Sequence, residues 1–205
     1  MNVGDIEVVK PDNYGWLRQK LSPEEIKHLW TCIDNKGERI KNPVLNHITA
    51  SYTLKDRGDW FLKNTLLPQI KVYEEVFGNR ISDVIPVSGR HPYYVSKLWV
   101  NYQKQHEFNP GHSHDGVYSF TVWLKIPTRY EEQNPDSQCK STFQFQFQDT
   151  LGQTRTYEYN LNPEDEGMTL FFPSRMWHCV YPFYNCRKDR ISVSGNLCLD
   201  TRLRM

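Results

Sequence analysis

Residues 143–148 read FQFQFQ, an unbroken alternation of aromatic and polar side chains. Because successive side chains of a β-strand point to opposite faces, this segment predicts a half-buried strand with an aromatic inner face. Residues 154–160 (TRTYEYN) follow after a short loop that contains Gly152, and we expect them to pair with 143–148. These two segments therefore predict an antiparallel β-hairpin.

Strand patterns extend outward from this hairpin through the second half of the chain. Further strands are predicted at residues 93–103, 118–126, 168–172 and 190–199. About six or seven short strands with turn residues between them indicate an antiparallel sandwich or barrel.

The part of the chain before about residue 85 carries helical signals instead. Ser22 is a predicted N-cap, followed by Pro23 at the first helical position and by Glu25 as the partner in a capping box. A second helix is predicted from about Asp59 to Phe77, with Pro68 either kinking it or marking a late first turn. This order of elements predicts an α+β protein in which N-terminal helices buttress a sheet.

No internal repeat or linker divides the chain, whose 205 residues are enough to bury a substantial core. We therefore expect one domain over residues 1–205. Residues 1–90 are expected to be mainly helical support, and residues 91–200 to form the β core.

Composition and charge exclude several classes of protein. The formal net charge is +1 and no basic stripe is present, so binding to nucleic acid is not indicated. No apolar run approaches the ~20 residues that span a bilayer, so no membrane partner is expected. The five cysteines form no CxxC pair, which argues against a zinc-thiolate site and favours a reducing cytoplasm. Cys179 is interpreted as a small buried strand residue rather than a nucleophile.

Three of the seven histidines lie where they could share a metal ion. His112 and His114 are two residues apart, so in extended chain they point to the same side, whereas Asp115 would face away unless the backbone turns. His178 follows the predicted strand at 168–172. Imidazole suits ferrous iron, and three ligands on one side leave positions open for other molecules. The remaining histidines are interpreted as surface or turn residues: His28, His47, His91 and His106.

A second candidate group opens the last predicted strand. Arg190 and Ser192 share a face of that strand, and a guanidinium beside a hydroxyl inside a barrel can bind a carboxylate. The alternative is that Arg190 forms a salt bridge at the rim with an acidic loop residue.

Four segments together resemble the Fe(II)- and 2-oxoglutarate-dependent oxygenases: VNYQ (100–103), NPGHSHDGVYSFTVWLKIP (109–127), FFPSRMWH (171–178) and RISVSGN (190–196). The resemblance covers residues 93–199 and is strongest to a small, uncharacterised branch common in tailed phages and marine bacteria. The segment LNHITASYTLKDRGDWF (45–61) also resembles that branch. The resemblance implies a double-stranded β-helix, or jelly roll, that uses Fe(II) and 2-oxoglutarate to hydroxylate a substrate with release of succinate and CO2.

The resemblance also implies roles for individual residues. It matches His112 and His114 to the first ligand pair and His178 to the distal ligand. It matches Arg190, with Ser192 beside it, to the group that binds the far carboxylate of 2-oxoglutarate, and Tyr102 to a hydrogen-bond donor to that cosubstrate. The chain departs from the family pattern at one place, because the family has an acidic residue two positions after the first ligand. The ligands could be three histidines, or Asp115 could replace one. In a third arrangement His114 is the first ligand and Gly116 leaves a coordination position open.

Two other functions remain open at this point. A cupin-type dioxygenase would keep the three histidines without needing 2-oxoglutarate, and a jelly-roll binding or structural protein would need no metal. The substrate, a small molecule or a peptide, is not indicated. In the oxygenase that the resemblance implies, aromatic residues are expected to keep water from the reaction centre: Trp99, Tyr118, Trp123 and Trp177.

Overall fold

The computed structural model describes residues 13–40, 47–79, 85, 87–137 and 139–204. This part of the chain forms ten β-strands and two α-helices. The helices are Pro23–Asp34 (α1) and Leu67–Phe77 (α2). The strands are Leu17–Lys20 (β1), Ala50–Thr53 (β2), Tyr93–Gln103 (β3), Asn109–His112 (β4), Tyr118–Lys125 (β5), Thr142–Gln148 (β6), Thr154–Asn160 (β7), Met168–Pro173 (β8), Trp177–Val180 (β9) and Arg190–Leu199 (β10).

The strands form two antiparallel sheets. The larger has the order β1-β8-β5-β10-β3-β2, and the smaller has the order β4-β9-β6-β7. Strands that are neighbours in space are mostly distant in sequence, as in the double-stranded β-helix that was predicted. The predicted hairpin is present, with Phe143 opposite Tyr159 and Phe147 opposite Arg155.

The space between the two sheets is filled mainly by aromatic side chains. The FQFQFQ segment supplies Phe143 and Phe145, which are 2% and 0% exposed. They pack against Trp123 and Phe172 from the larger sheet. The alternation in the sequence therefore marks the face of β6 that closes the sandwich.

A second core lies on the other face of the larger sheet, where the helices pack. Leu29 of α1 and Tyr73 of α2 are buried there against strand residues such as Val100 and Phe171. The predicted buttressing of one sheet by N-terminal helices is thus confirmed. None of the described helices is both long and apolar enough to cross a membrane.

The start of α1 is as predicted, but the second helix is more irregular. Ser22 Oγ accepts a hydrogen bond from the Glu25 backbone N–H, and the Glu25 carboxylate accepts one from the Ser22 N–H. The predicted helix over 59–77 is instead a 3₁₀ turn at Arg57–Asp59, a π-helical turn at Leu62–Leu66 and then α2. Pro68 lies in the first turn of α2, directly after the π-helical turn, which is one of the two positions predicted for it.

Two short strands in the N-terminal part were not predicted. β1 pairs with β8 and β2 with β3, so they form the two edges of the larger sheet. The part before residue 90 is therefore not only helical support, because it also supplies both edge strands of the larger sheet.

Candidate metal centre

The three predicted histidines converge between the two sheets. His112 ends β4 and is paired in register with His178 of β9, and their ring centroids are 4.4 Å apart. The His114 ring lies 4.9 Å from His112 and 5.0 Å from His178. One ring nitrogen from each histidine lies within 4.8 Å of the other two, which is close enough for one ion to be held by all three.

Backbone hydrogen bonds orient two of these rings. His112 Nδ1 lies 2.7 Å from the Pro110 carbonyl oxygen, and His178 Nδ1 lies 2.9 Å from that of Met176. A carbonyl oxygen can only accept, so both Nδ1 atoms carry the proton and both Nε2 atoms keep a lone pair. The two Nε2 atoms are therefore the available metal ligands.

Burial keeps the three imidazoles neutral. Desolvation is the main cause that lowers the pKa values of His112 and His178 and brings that of His114 to about 4. The neighbouring histidines lower the values for His114 and His178 further, because two imidazolium ions would repel each other. Neutral imidazole is the form that binds metal ions.

The structure does not bring the other candidate ligands to this point. The Asp115 side chain is 88% exposed, with its carboxylate 4.0 Å from Arg175, and it is not part of the three-histidine group. Gly116 has φ +104°, and a Cβ atom there would lie 2.6 Å from the Leu197 carbonyl oxygen. A side chain at position 116 would thus point into the backbone of β10. Of the three arrangements considered, the geometry favours three histidines.

The cavity beside the histidines is lined by both aromatic and polar side chains. The aromatic ones include Trp99, Trp123 and Phe172. The polar ones are Gln103, Asn109, Thr121, Ser192 and Ser194. Trp99 and Trp123 therefore lie where aromatic lining was expected.

Two of the expected lining aromatics lie elsewhere. Tyr118 packs on the helix side of the larger sheet, with its ring 5.2 Å from that of Tyr73. Trp177 is 47% exposed, because it lies on the opposite face of β9 from its neighbour His178.

Arg190 is a buried cation directly opposite Gln103, which lines the cavity. It is 2% exposed, and burial lowers its pKa. Its Nη2 atom donates to the Tyr181 carbonyl oxygen at 2.7 Å, and its guanidinium lies 5.2 Å from the centre of the Phe183 ring. No carboxylate of the described residues forms an ion pair with it, so the predicted alternative of a rim salt bridge is not found there.

Gln103, which the sequence did not single out, connects Arg190 to the cavity. The two residues are directly opposite each other on β3 and β10. Gln103 lines the cavity, and its Oε1 atom accepts hydrogen bonds from Arg190 Nε at 3.0 Å and Nη2 at 2.8 Å.

The role expected for Tyr102 needs correction. Trp99 and Gln103 of β3 point into the cavity, and Tyr102 is displaced by one residue from that face. Its ring instead lies 6.0 Å from that of Tyr52, on the side of the helices. Tyr102 is therefore not positioned to donate a hydrogen bond to a molecule bound at the histidines.

The other histidines lie apart from this cluster. His28 is 2.9 Å from the Asp56 carboxylate, and His91 is buried with its two ring nitrogens near the carbonyl oxygens of Leu203 and Ser88. The rings of His47 and His106 stack on Phe108 and contact Tyr184, respectively.

Residues 97–196 match the model of a family described as "Putative 2OG-Fe(II) oxygenase". The matched segment contains the three histidines, Gln103 and Arg190. This segment belongs to the 2OG-Fe(II) oxygenase superfamily. A search of curated proteins found no match.

Solved structures of 2OG-Fe(II) oxygenases share this fold at low sequence identity. A prolyl-4-hydroxylase from Pseudomonas putida is 14% identical, with a TM-score of 0.54 over 91% of this chain and 93% of that chain. An oxidoreductase of the 2OG-Fe(II) oxygenase family from Burkholderia pseudomallei is 12% identical, with a TM-score of 0.55 over 90% and 85%. HygX from Streptomyces hygroscopicus, solved with nickel, 2-oxoglutarate and hygromycin B, is 10% identical, with a TM-score of 0.50 over 92% and 84%.

The residues of this chain fit the two cofactors of the superfamily, Fe(II) and 2-oxoglutarate. The three histidines offer neutral, inward-facing nitrogens within reach of one ion. Arg190 offers a buried positive charge that lacks a carboxylate partner among the described residues, which suits an acidic ligand.

Proposed function

We propose that this protein is a 2-oxoglutarate-dependent Fe(II) dioxygenase that hydroxylates a small-molecule or peptide substrate, with release of succinate and CO2. One observation carries the proposal. The three-histidine cluster and Gln103 line one cavity, and Gln103 accepts hydrogen bonds from the buried guanidinium of Arg190, which has no carboxylate partner among the described residues. Such a combination suits a metal ion and an acid that bind together.

Each side chain has a definite task in this proposal. His112, His114 and His178 would hold Fe(II), which together with 2-oxoglutarate and O2 supplies the oxidation of a C–H bond. Arg190 would bind the carboxylate of 2-oxoglutarate that is farther from the metal, and the Ser192 hydroxyl would add a donor.

The other residues of the cavity would control its solvent and its charge. Trp99 and Trp123 would exclude water from the reacting atoms. Because the three histidines are neutral, they leave the full charge of the metal ion uncompensated. That charge and the Arg190 cation would both attract a dianionic cosubstrate.

Calorimetric titration with 2-oxoglutarate tests the proposal. Wild type, Arg190→Ala and Arg190→Lys would each be loaded with Mn(II) in place of Fe(II), so that binding is measured without turnover. Removing one partner of a buried charge pair costs about 2–5 kcal/mol, so Arg190→Ala should bind 2-oxoglutarate roughly 30-fold more weakly or worse. Arg190→Lys should retain part of the affinity, since lysine offers a point charge without the planar fork.

The same titration separates the two alternative functions. A cupin-type dioxygenase that does not use 2-oxoglutarate predicts metal binding without 2-oxoglutarate binding in wild type. A jelly-roll protein without catalysis predicts that neither binds. If Arg190 is only structural, Arg190→Ala lowers the melting temperature and leaves the affinity for 2-oxoglutarate unchanged.

A further inference from the structure

Gln103 is held in one orientation by hydrogen bonds at both ends of its amide. Its Oε1 atom accepts from Arg190 Nε and Nη2 at 3.0 and 2.8 Å, while its Nε2 atom donates to the Glu107 carbonyl oxygen at 2.6 Å. A guanidinium can only donate and a carbonyl oxygen can only accept, so the amide cannot be reversed. The side chain is 3% exposed, which makes these contacts costly to lose.

The amide fixes the position of Arg190 without neutralising its charge. Gln103 Oε1 binds the edge of the guanidinium formed by Nε and Nη2, and the second Nη2 bond goes to the Tyr181 carbonyl oxygen. At the other end, Nη1 has one long contact of 3.4 Å, to Ser141 Oγ. All these partners are neutral, so the guanidinium is held firmly on one edge and keeps donor capacity on Nη1.

A carboxylate in the place of this amide would have the opposite effect on the charge. Glutamate has the same length as glutamine, and at position 103 it would form a buried ion pair with Arg190. The guanidinium would then no longer present an uncompensated charge to an acid that enters the cavity.

We propose that Gln103 is the positioning residue of the acid-binding site: its neutral amide holds the Arg190 guanidinium in place and leaves its positive charge for one incoming carboxylate. This inference rests on the proposed function, because it assigns Arg190 to the cosubstrate. It also implies that the side chain at position 103 must be an uncharged hydrogen-bond acceptor.

A double-mutant cycle tests whether Gln103 acts through Arg190. 2-Oxoglutarate affinity would be measured for Mn(II)-loaded wild type, Gln103→Glu, Arg190→Ala and the double variant, with a thermal melt of each. When Arg190 is present, Gln103→Glu should weaken 2-oxoglutarate binding by about tenfold or more, because the new carboxylate forms an ion pair with the guanidinium. In the Arg190→Ala background the same substitution should change affinity by less than about threefold. Mn(II) affinity should stay unchanged.

Two further variants keep the test decisive. Gln69→Glu places the same new carboxylate at another buried glutamine, on α2, and should leave 2-oxoglutarate affinity unchanged. Gln103→Met removes the acceptor without adding charge and covers the case in which Gln103→Glu does not fold. It should weaken 2-oxoglutarate binding by about threefold or more, because the guanidinium loses its alignment.

The outcomes separate this inference from the proposed function. If wild type does not bind 2-oxoglutarate, the proposed function fails. If wild type binds 2-oxoglutarate and the Gln103→Glu variant binds it equally well, the proposed role of Gln103 is wrong while the proposed function stands. The same conclusion follows if Gln103→Glu weakens binding equally with and without Arg190. Wild-type affinity for 2-oxoglutarate in Gln103→Met would also overturn the proposed role of Gln103.

Discussion

His112 and His178 lie opposite each other on neighbouring antiparallel strands, with their ring centroids 4.4 Å apart. Each ring is turned by a hydrogen bond from Nδ1 to a backbone carbonyl oxygen two residues earlier in the chain. The same kind of local hydrogen bond thus orients both rings so that their Nε2 atoms face one point. Strand pairing and local backbone contacts therefore orient both rings.

The first prediction concerns His178, the proposed distal ligand. His178→Ala should abolish tight iron binding, because two remaining imidazoles cannot hold the ion from three sides. His106→Ala is the matched control, since His106 is exposed in a loop and its ring contacts Tyr184. Anaerobic titration of both variants with Fe(II) measures the effect. Wild-type iron affinity in His178→Ala would show that the metal does not bind where the three rings meet.

A second prediction distinguishes the possible ligand sets. His112→Ala should cost at least about tenfold in iron affinity, because the loss of even an outer-shell partner of a metal ligand costs about 10–100-fold, whereas Asp115→Ala should change it little. The reason is that the Asp115 carboxylate is 88% exposed and outside the cluster. Metal titration of the two variants decides the matter. A larger loss in Asp115→Ala would mean that the backbone turns on metal binding and that a carboxylate completes the site.

A third prediction concerns thiol reactivity, including that of Cys179 beside the candidate ligand His178. Burial raises the pKa of the Cys179 thiol and brings that of Cys32 to about 11. A raised pKa lowers the thiolate fraction, and at pH 8 a thiol with that value is only about one part in a thousand thiolate. Iodoacetamide should therefore modify the exposed Cys139 first in the folded protein and reach Cys32 and Cys179 only slowly.

Mass spectrometry of peptides after timed labelling would measure these rates. Labelling of Cys32 should accelerate as the pH rises toward 11, because its thiolate fraction grows. Denatured protein, in which all cysteines are accessible, is the control. If Cys179 reacts as fast as Cys139 at pH 8, it is a reactive thiol beside His178 and the interpretation of a buried strand residue is wrong.

The fourth prediction tests the helical support of the sheet. Ser22→Ala removes the side-chain acceptor of the α1 capping box, and such losses cost about 1 kcal/mol of stability. Glu25 also accepts a hydrogen bond from Thr65 Oγ1, so the box joins α1 to the π-helical turn. Urea unfolding of wild type, Ser22→Ala and Ser22→Thr measures the effect. Ser22→Thr should retain most of the stability, and an unchanged midpoint in Ser22→Ala would show that the cap contributes nothing.

The features that the sequence predicted correctly are those with a local cause. The alternation at 143–148 and the capping box at Ser22 each depend on residues a few positions apart. The four-residue strands β1 and β2 carry no such pattern and exist because β8 and β3 offer them hydrogen bonds. Their formation depends on partners that are distant in sequence.

The candidate site shows the same division between local and distant causes. The pair His112 and His114 could be recognised from its spacing, whereas the role of Gln103 depends on the register that places it opposite Arg190. The resemblance matched Tyr102 to a cosubstrate donor, but Tyr102 is one residue from Gln103 and therefore lies on the other face of β3. Register between distant strands is not encoded in any short segment.

The central claim is that this chain binds Fe(II) and 2-oxoglutarate together at the three histidines. Anaerobic wild-type protein should develop a weak metal-to-ligand charge-transfer band in the visible only when both are added, and His178→Ala should not develop it. The result that contradicts the account is wild-type protein that binds Fe(II) tightly but shows no band at saturating 2-oxoglutarate.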